Sequence, residues 1–272
     1  MPPVFAFIPL YYQLLQAYYP DPGTSFSPSI VVTPTPISSP TPTPTPAVLG
    51  VATEPLPAVG GDGQVITIAV FGDSMIETLN PNLPKLSASL QKYYPKIKFN
   101  LINFGYPATS IDNASPHLSE IIDQSPNIII IESFAYNNFG NTQIGIDKQW
   151  QFLSTITSTI KEKLPQTKIV LAATIAPNSI VFGNGTKDLH LTSLEKIEKT
   201  KTIKLYLQNL VNFATSQNYP LADAYRPSLF QNDGLPDFIN PTDHIHTSDY
   251  GAEFFSDTIA KTIHDNKLIE QN

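Results

Sequence analysis

Residues 65–74 read VITIAVFGDS. Six of the seven residues from Val65 to Phe71 are apolar and four are β-branched Val or Ile. Such a run predicts a strand buried on both faces, as in the middle of a parallel sheet. Gly72 permits a sharp turn that a β-carbon would hinder, and Ser74 follows at the carboxyl end of the strand, the edge where open α/β sheets bind ligands. A serine there reads as a nucleophile, which needs a base, a carboxylate behind the base and donors for an oxyanion.

Downstream of this strand, apolar runs alternate with amphipathic stretches. Further strands are predicted at Ile97 to Asn103, Ile128 to Glu132, Ile169 to Ile175 and Leu221 to Ala224. Helices are predicted near Leu83 to Tyr94, Pro116 to Asp123, Asp147 to Leu164 and Leu194 to Gln217. A last helix begins after Ser248, with Phe255, Ile259 and Ile263 forming one apolar stripe. Strands separated by helices imply right-handed crossovers and a parallel sheet covered on both faces, an α/β fold of about five strands.

The partners that Ser74 needs occur at matching places. After the second predicted strand comes Asn103-Phe104-Gly105, where Gly105 would let the backbone approach a ligand and present its N–H. After the third comes Ser133-Phe134-Ala135-Tyr136-Asn137-Asn138. Before the last helix comes Pro241-Thr242-Asp243-His244-Ile245-His246. An Asp three residues before a His in one loop can set its carboxylate on Nδ1 while Nε2 faces the serine, and Asp243 and His246 have that spacing. The N–H groups of Ser74 and Gly105 and the side-chain amide of Asn137 or Asn138 are the candidate oxyanion donors. Each of these pieces alone is also an ordinary turn; their order at successive strand ends is what points to catalysis. The His244-x-His246 pair beside Asp243 lacks a third strong ligand at any defensible spacing, so no metal is expected, and Asn184-Gly185-Thr186 is formally a glycosylation sequon.

From about residue 65 to about residue 264 the chain resembles the SGNH/GDSL hydrolases, serine esterases and lipases with a flavodoxin-like sheet in a three-layer α/β/α sandwich. The resemblance implies Ser74 as nucleophile in the Gly-Asp-Ser block. It implies Gly105 as an oxyanion glycine, Asn137 as an oxyanion asparagine, and Asp243 with His246 as the remaining triad members. The chain departs from the family pattern at Met75, where Leu is usual, at Ala135, where Gly is usual, and at Asn138, where Asp is usual. The expected activity is hydrolysis of carboxylic esters of O-acetyl or short acyl groups, with polysaccharide or small-molecule esters as substrates and no cofactor. An O-acyltransferase with the same triad, or a surface glycan-binding module without turnover, are the competing readings. The loops Ala176 to Thr192 and Arg226 to Asn240 are expected to wall the pocket.

Upstream, residues 1–19 are strongly apolar but interrupted by Pro9, Gln13 and Gln16, and the first basic residue of the chain is Lys85. A membrane anchor whose start lies further upstream, an atypical signal peptide and an apolar packing arm are the three readings of this segment. Residues 20–64 form a linker that includes TPTPISSPTPTPTP from Thr33 to Pro46 and belongs to a region, before residue 60, holding 14 of the 26 prolines. Alternating Pro favours extended polyproline II, so roughly 35 such residues at about 3.1 Å each would hold a domain on the order of 100 Å from an anchor. The hydrolase-like domain, residues 65–272, is thus expected outside the cell or at its surface, with a membrane tether through the N-terminus. With a net charge of −7, a single arginine and no basic patch, the chain is not expected to bind nucleic acid. The absence of cysteine removes disulfides and thiolate catalysis.

Overall fold

The computed structural model describes residues 65–187 and 189–270. The apolar segment at residues 1–19 and the Pro/Thr-rich stretch at 20–64 lie outside the described residues. The chain runs β1 (Val65–Gly72), α1 (Ser74–Glu77), α2 (Pro84–Tyr93), β2 (Lys98–Gly105), α3 (Ile111–Ala114), α4 (Leu118–Asp123), β3 (Ile128–Glu132), α5 (Gln143–Lys163), β4 (Lys168–Ala173), α6 (Ser193–Ser216) and β5 (Leu221–Asp223). A short antiparallel pair, β6 (Leu229–Phe230) and β7 (Asp233–Gly234), precedes α7 (Asp249–Asp265).

Five parallel strands form one sheet in the order β2-β1-β3-β4-β5. The period-2 alternation of a strand sends Ala69, Phe71, Ile129, Ile131 and Leu171 to one face, packed with Leu118, Leu153, Ile156, Ile203 and Leu207. Ile66, Ile68, Val70, Ile130 and Val170 go to the other face, against Leu86, Leu90, Phe255, Ile259 and Ile263 of α2 and α7. Helices therefore cover both faces, which is why β1 and β3 read as unbroken apolar runs rather than alternating ones. This is the three-layer α/β/α arrangement expected from the sequence.

The strand order reverses direction at β1, whose neighbours are β2 on one side and β3 on the other. A crevice opens at the carboxyl edge where such a reversal occurs, and Ser74 follows β1 there. Two helical features depart from the sequence reading. A one-turn helix, α1, starts at Ser74 itself, and α5 begins at Gln143, where the Thr142 side chain accepts from the Gly145 amide at 3.0 Å. A four-residue helix has no periodicity to detect, and the cap at Thr142 lies before the first periodic apolar residue. Among the described residues no helix is long and apolar enough to cross a membrane.

Candidate active site

Ser74 is the first residue of α1 and is partly exposed. The turn that puts it there depends on Gly72: a β-carbon would come within 2.3 Å of Ile76 Cγ1 and 2.8 Å of Glu132 Cβ. Asp73 caps the helix, its Oδ1 accepting the Met75 amide at 2.9 Å, and its Oδ2 accepts from Asn137 Nδ2 at 3.0 Å. One carboxylate thus ties the loop after β3 to the Ser74 turn. Asn138 is spent differently, donating to the Ala135 carbonyl at 2.8 Å and accepting the Gly140 amide at 2.9 Å. Of the two asparagines, Asn137 is the one held beside the Ser74 turn. As a first-turn residue, Ser74 also carries a backbone N–H with no intrahelical acceptor.

Gly105, expected from the sequence as an oxyanion donor, closes β2 beside α1. Its N–H donates to Asn103 Oδ1 at 2.8 Å, so the amide is already engaged. A β-carbon on Gly105 would fall 2.1 Å from the Glu77 nitrogen; glycine is required so that the end of β2 can lie flush against α1. Asn103 completes the contact by donating to the Ile76 and Asn80 carbonyls at 2.9 and 3.0 Å. The side chain of Asn103, and not the Gly105 backbone alone, brackets the helix that Ser74 begins. The only sequence signal for it was a polar residue inside an apolar strand.

The Asp243 to His246 loop forms as its spacing predicts. His246 Nδ1 lies 2.9 Å from Asp243 Oδ2, while Oδ1 accepts the Ile245 and His246 amides at 2.8 and 3.0 Å. Burial alone would raise the Asp243 pKa, but the His246 side chain and these two amides together hold it below the usual carboxylate value. The imidazole is 23% exposed and shares the wall of one cavity with Thr78. Thr78 in turn donates its hydroxyl to the Ser74 carbonyl at 2.8 Å. The charge of His246 also reaches Asp73, where it opposes the effect of burial. Serine turn, asparagine loop and Asp-His loop are therefore gathered at one sheet edge.

The loop after β4 supports the Asp-His loop from outside. Thr186 Oγ1 donates to the Asp243 carbonyl at 3.1 Å, the Gly183 amide to the His244 carbonyl at 3.3 Å, and His244 Nδ1 lies 2.7 Å from the Asn184 carbonyl oxygen. At Gly185, φ is +84°, and a β-carbon would meet the Thr242 carbonyl oxygen at 2.1 Å. His244 is therefore a strut for the loop, and Asn184 of the sequon accepts from Lys196. Residues 176–192 and 226–240 are the two loops expected from the sequence to wall the pocket. From those two loops only Asn240 lines the cavity beside His246. The two segments also bind each other, with Asn178 Nδ2 on the Gly234 carbonyl at 2.7 Å and Ser179 N on Asp233 at 2.9 Å.

Behind the site sits a buried acidic pair. Asp73 and Glu132 are both 0% exposed. Burial pushes Asp73 up to about 6 against the opposing Met75 amide, Asn137 and His246. Glu132 is pushed up to about 8, by burial first and then by the charge of Asp73. Glu132 anchors the asparagine loop, accepting from the Ser133 hydroxyl and, at 2.7 Å, from the Phe134 amide. That loop is braced further by Gln149 Nε2 on the Ser133 carbonyl at 2.7 Å and Asn209 Nδ2 on Gln149 Oε1 at 2.8 Å.

No family model matches the chain, and no curated protein sequence does. Solved structures do resemble it. A lipase/acylhydrolase from Enterococcus faecalis superposes with a TM-score of 0.52 at 18% identity, over 74% of this chain and 96% of that one. An acetylxylan esterase from Geobacillus stearothermophilus gives 0.53 at 14% identity, over 75% and 95% of the two chains. A G-D-S-L family protein from Desulfitobacterium hafniense gives 0.51 at 13% identity, over 72% and 98%. With its five parallel strands between two helical layers and a Gly-Asp-Ser turn at the carboxyl edge of the first strand, the chain has the fold of the SGNH/GDSL hydrolases.

Proposed function

We propose that the protein is a serine ester hydrolase of the SGNH/GDSL type, acting on O-acetyl or other short acyl esters of carbohydrate. The observation that carries the reading is the 2.9 Å contact of His246 Nδ1 with Asp243, on a histidine that shares a cavity wall with Thr78, the C-cap of the helix that Ser74 begins. In this mechanism Ser74 Oγ attacks the ester carbonyl carbon as its proton passes to His246 Nε2. The oxyanion takes hydrogen bonds from the Ser74 N–H and from the Asn137 Nδ2 proton not given to Asp73. His246 then hands its proton to the departing alcohol oxygen, leaving an acyl-serine. Water, deprotonated by the same histidine, attacks that acyl carbon, and Ser74 leaves with the proton returned to it. Gly105 stays outside this set of donors for as long as its amide is bonded to Asn103.

Display outside the cell belongs to the same proposal. Its support is the order of segments in the sequence, an apolar start followed by a Pro/Thr stretch ahead of the catalytic domain. The test is intact mass after treatment of the full chain with a fluorophosphonate, followed by acetate release from acetylated xylan. Ser74→Ala is expected to lose the adduct, and Ser74→Ala and His246→Ala to lower turnover on the order of 10⁴-fold or more. A folded protein that takes no adduct overturns the assignment, and one that binds xylan unchanged in Ser74→Ala without turnover is a glycan-binding module. Acetate transferred to an added sugar in preference to water identifies an O-acyltransferase.

A further inference from the structure

Asn184-Gly185, in the loop after β4, is the only Asn-Gly pair in the chain, and both residues are exposed. An asparagine side chain can be attacked by the backbone nitrogen of the next residue, which closes a five-membered imide. That ring is favoured by a following residue with no β-carbon in the way, by a following N–H that no acceptor holds, and by a cation on the amide oxygen where charge develops. All of these meet at Asn184. Its amide donates to the Val181 carbonyl at 2.9 Å, and the Thr186 amide donates to the Gly183 carbonyl at 3.2 Å. Between the two, among the described residues, nothing accepts the Gly185 N–H. Lys196, near the start of α6, donates from Nζ to Asn184 Oδ1. Asn178-Ser179 in the same loop lacks these features. Asn178 is only 7% exposed, its Oδ1 takes the Ile180 and Val181 amides, and the Ser179 N–H is spent on Asp233 at 2.9 Å.

We infer that Asn184 is a site of self-modification, at which the chain converts its own asparagine to aspartate and isoaspartate. Gly185 N bonds to Asn184 Cγ while the Cγ–Nδ2 bond breaks, and Nδ2 leaves as ammonia with the proton of the Gly185 N–H. The Lys196 ammonium faces the oxygen that carries the negative charge of the tetrahedral intermediate. Water then opens the imide on either side of its nitrogen. Cleavage of the N–Cγ bond leaves aspartate; cleavage between the nitrogen and the main-chain carbonyl leaves isoaspartate, whose backbone runs through Cβ and Cγ and is one atom longer. His244 acts as the brake. Gly185 N reaches Cγ only if the peptide plane between the two residues turns, and His244 Nδ1, 2.7 Å from the Asn184 carbonyl oxygen, holds that plane. The product acts on the same contact. In isoaspartate the carbonyl that met His244 has become a free carboxylate, and the longer backbone must pass Thr242, whose carbonyl leaves no room even for a β-carbon on Gly185. On the hydrolase reading, the loop of Asp243 and His246 is displaced and activity decays as the site converts.

The experiment incubates the full chain at neutral pH and physiological temperature and follows Asn178 and Asn184 by peptide mass spectrometry, with an isoaspartyl methyltransferase to label the isoaspartate. Residue 184 is expected to gain about 1 Da, the exchange of NH2 for OH, while Asn178 stays unchanged. Lys196→Met is expected to slow the conversion about fivefold and His244→Ala to speed it about fivefold, the effect of one hydrogen bond. A residue 184 that gains no mass, or gains it no faster than Asn178, overturns the site, and a rate unmoved by Lys196→Met overturns the part given to Lys196. Turnover of p-nitrophenyl acetate is expected to fall in step with the isoaspartyl fraction, and to hold its starting value in Asn184→Gln, whose longer side chain closes no five-membered ring. Turnover that holds steady while isoaspartate accumulates overturns the link to the Asp-His loop. A protein that converts at residue 184 yet turns over no ester supports the modification, and the hydrolase reading alone falls.

Discussion

Asp73 does more than a turn residue does. Its two oxygens are divided between the Met75 amide and the Asn137 side chain, so the carboxylate that starts the nucleophile's helix also aims the asparagine. Asn137→Ala is expected to lower kcat by about 10²-fold or more with little change in KM, the signature of a donor used only in the transition state. Steady-state kinetics on the short-chain ester decides it, and an equal fall in binding would count against that role. Glu132 offers a stability test of the same cluster. Its folded pKa of about 8 exceeds the ordinary 4.5, and that of Asp73 is about 6 against 3.8. The folded state thus holds protons that unfolding releases. The stabilisation tied to them is complete below the unfolded values and is lost as pH rises through about 6 and then about 8. Urea unfolding midpoints measured from pH 5 to pH 9 should fall less steeply in Glu132→Gln than in the wild type. Parallel curves would mean that Glu132 is not the group that titrates.

At the level of elements, the loop after β4 supports the loop that carries Asp243 and His246. It touches the Asp-His loop at Thr186, Gly183 and Asn184, and Gly185 sits so close to the Thr242 carbonyl that no side chain fits. Gly185→Ala therefore combines a left-handed φ with a backbone clash, and such strain is worth about 1–3 kcal/mol. A lower melting temperature is expected together with a fall in kcat, because relief of the clash displaces Thr242 and, with it, Asp243. Calorimetry paired with kinetics checks this; a variant less stable but fully active would show that the Asp-His loop holds its geometry unaided. The sequence marked Asn184-Gly185-Thr186 only as a sequon and a turn. Its part in supporting the base depends on a contact across almost 60 residues, which no local pattern carries. Gln149 and Asn209 were hidden for a related reason. They are polar residues at buried positions of α5 and α6, and their purpose appears only once both helices lie behind the loop after β3.

At the scale of the whole molecule, the sheet brings together the Ser74 turn, Asn103 and the Asn137 loop by placing the ends of β1, β2 and β3 side by side. The parallel sheet and its two covering layers were legible because buried parallel strands must be apolar on both faces, as Ile128 to Ile131 are. The Asp243 and His246 pair was legible because a three-residue spacing within one loop is a local geometric fact. So was the position of Ser74, since an apolar run that ends in Gly-Asp-Ser places the serine at the strand's end wherever the strand lies. The sequence by itself therefore determined the architecture, the place of Ser74 at the end of β1 and the contact of Asp243 with His246, all properties set within a few residues of chain. Only the tertiary structure decided that the Gly105 amide is taken by Asn103, that Asn137 and not Asn138 is tied to Asp73, and that the cavity at His246 is walled by the turn Thr78 to Asn80 and the start of α7. Each of these is a competition between hydrogen-bond partners, or a contact between surfaces, that are distant in sequence, and the outcome exists only when the chain is folded.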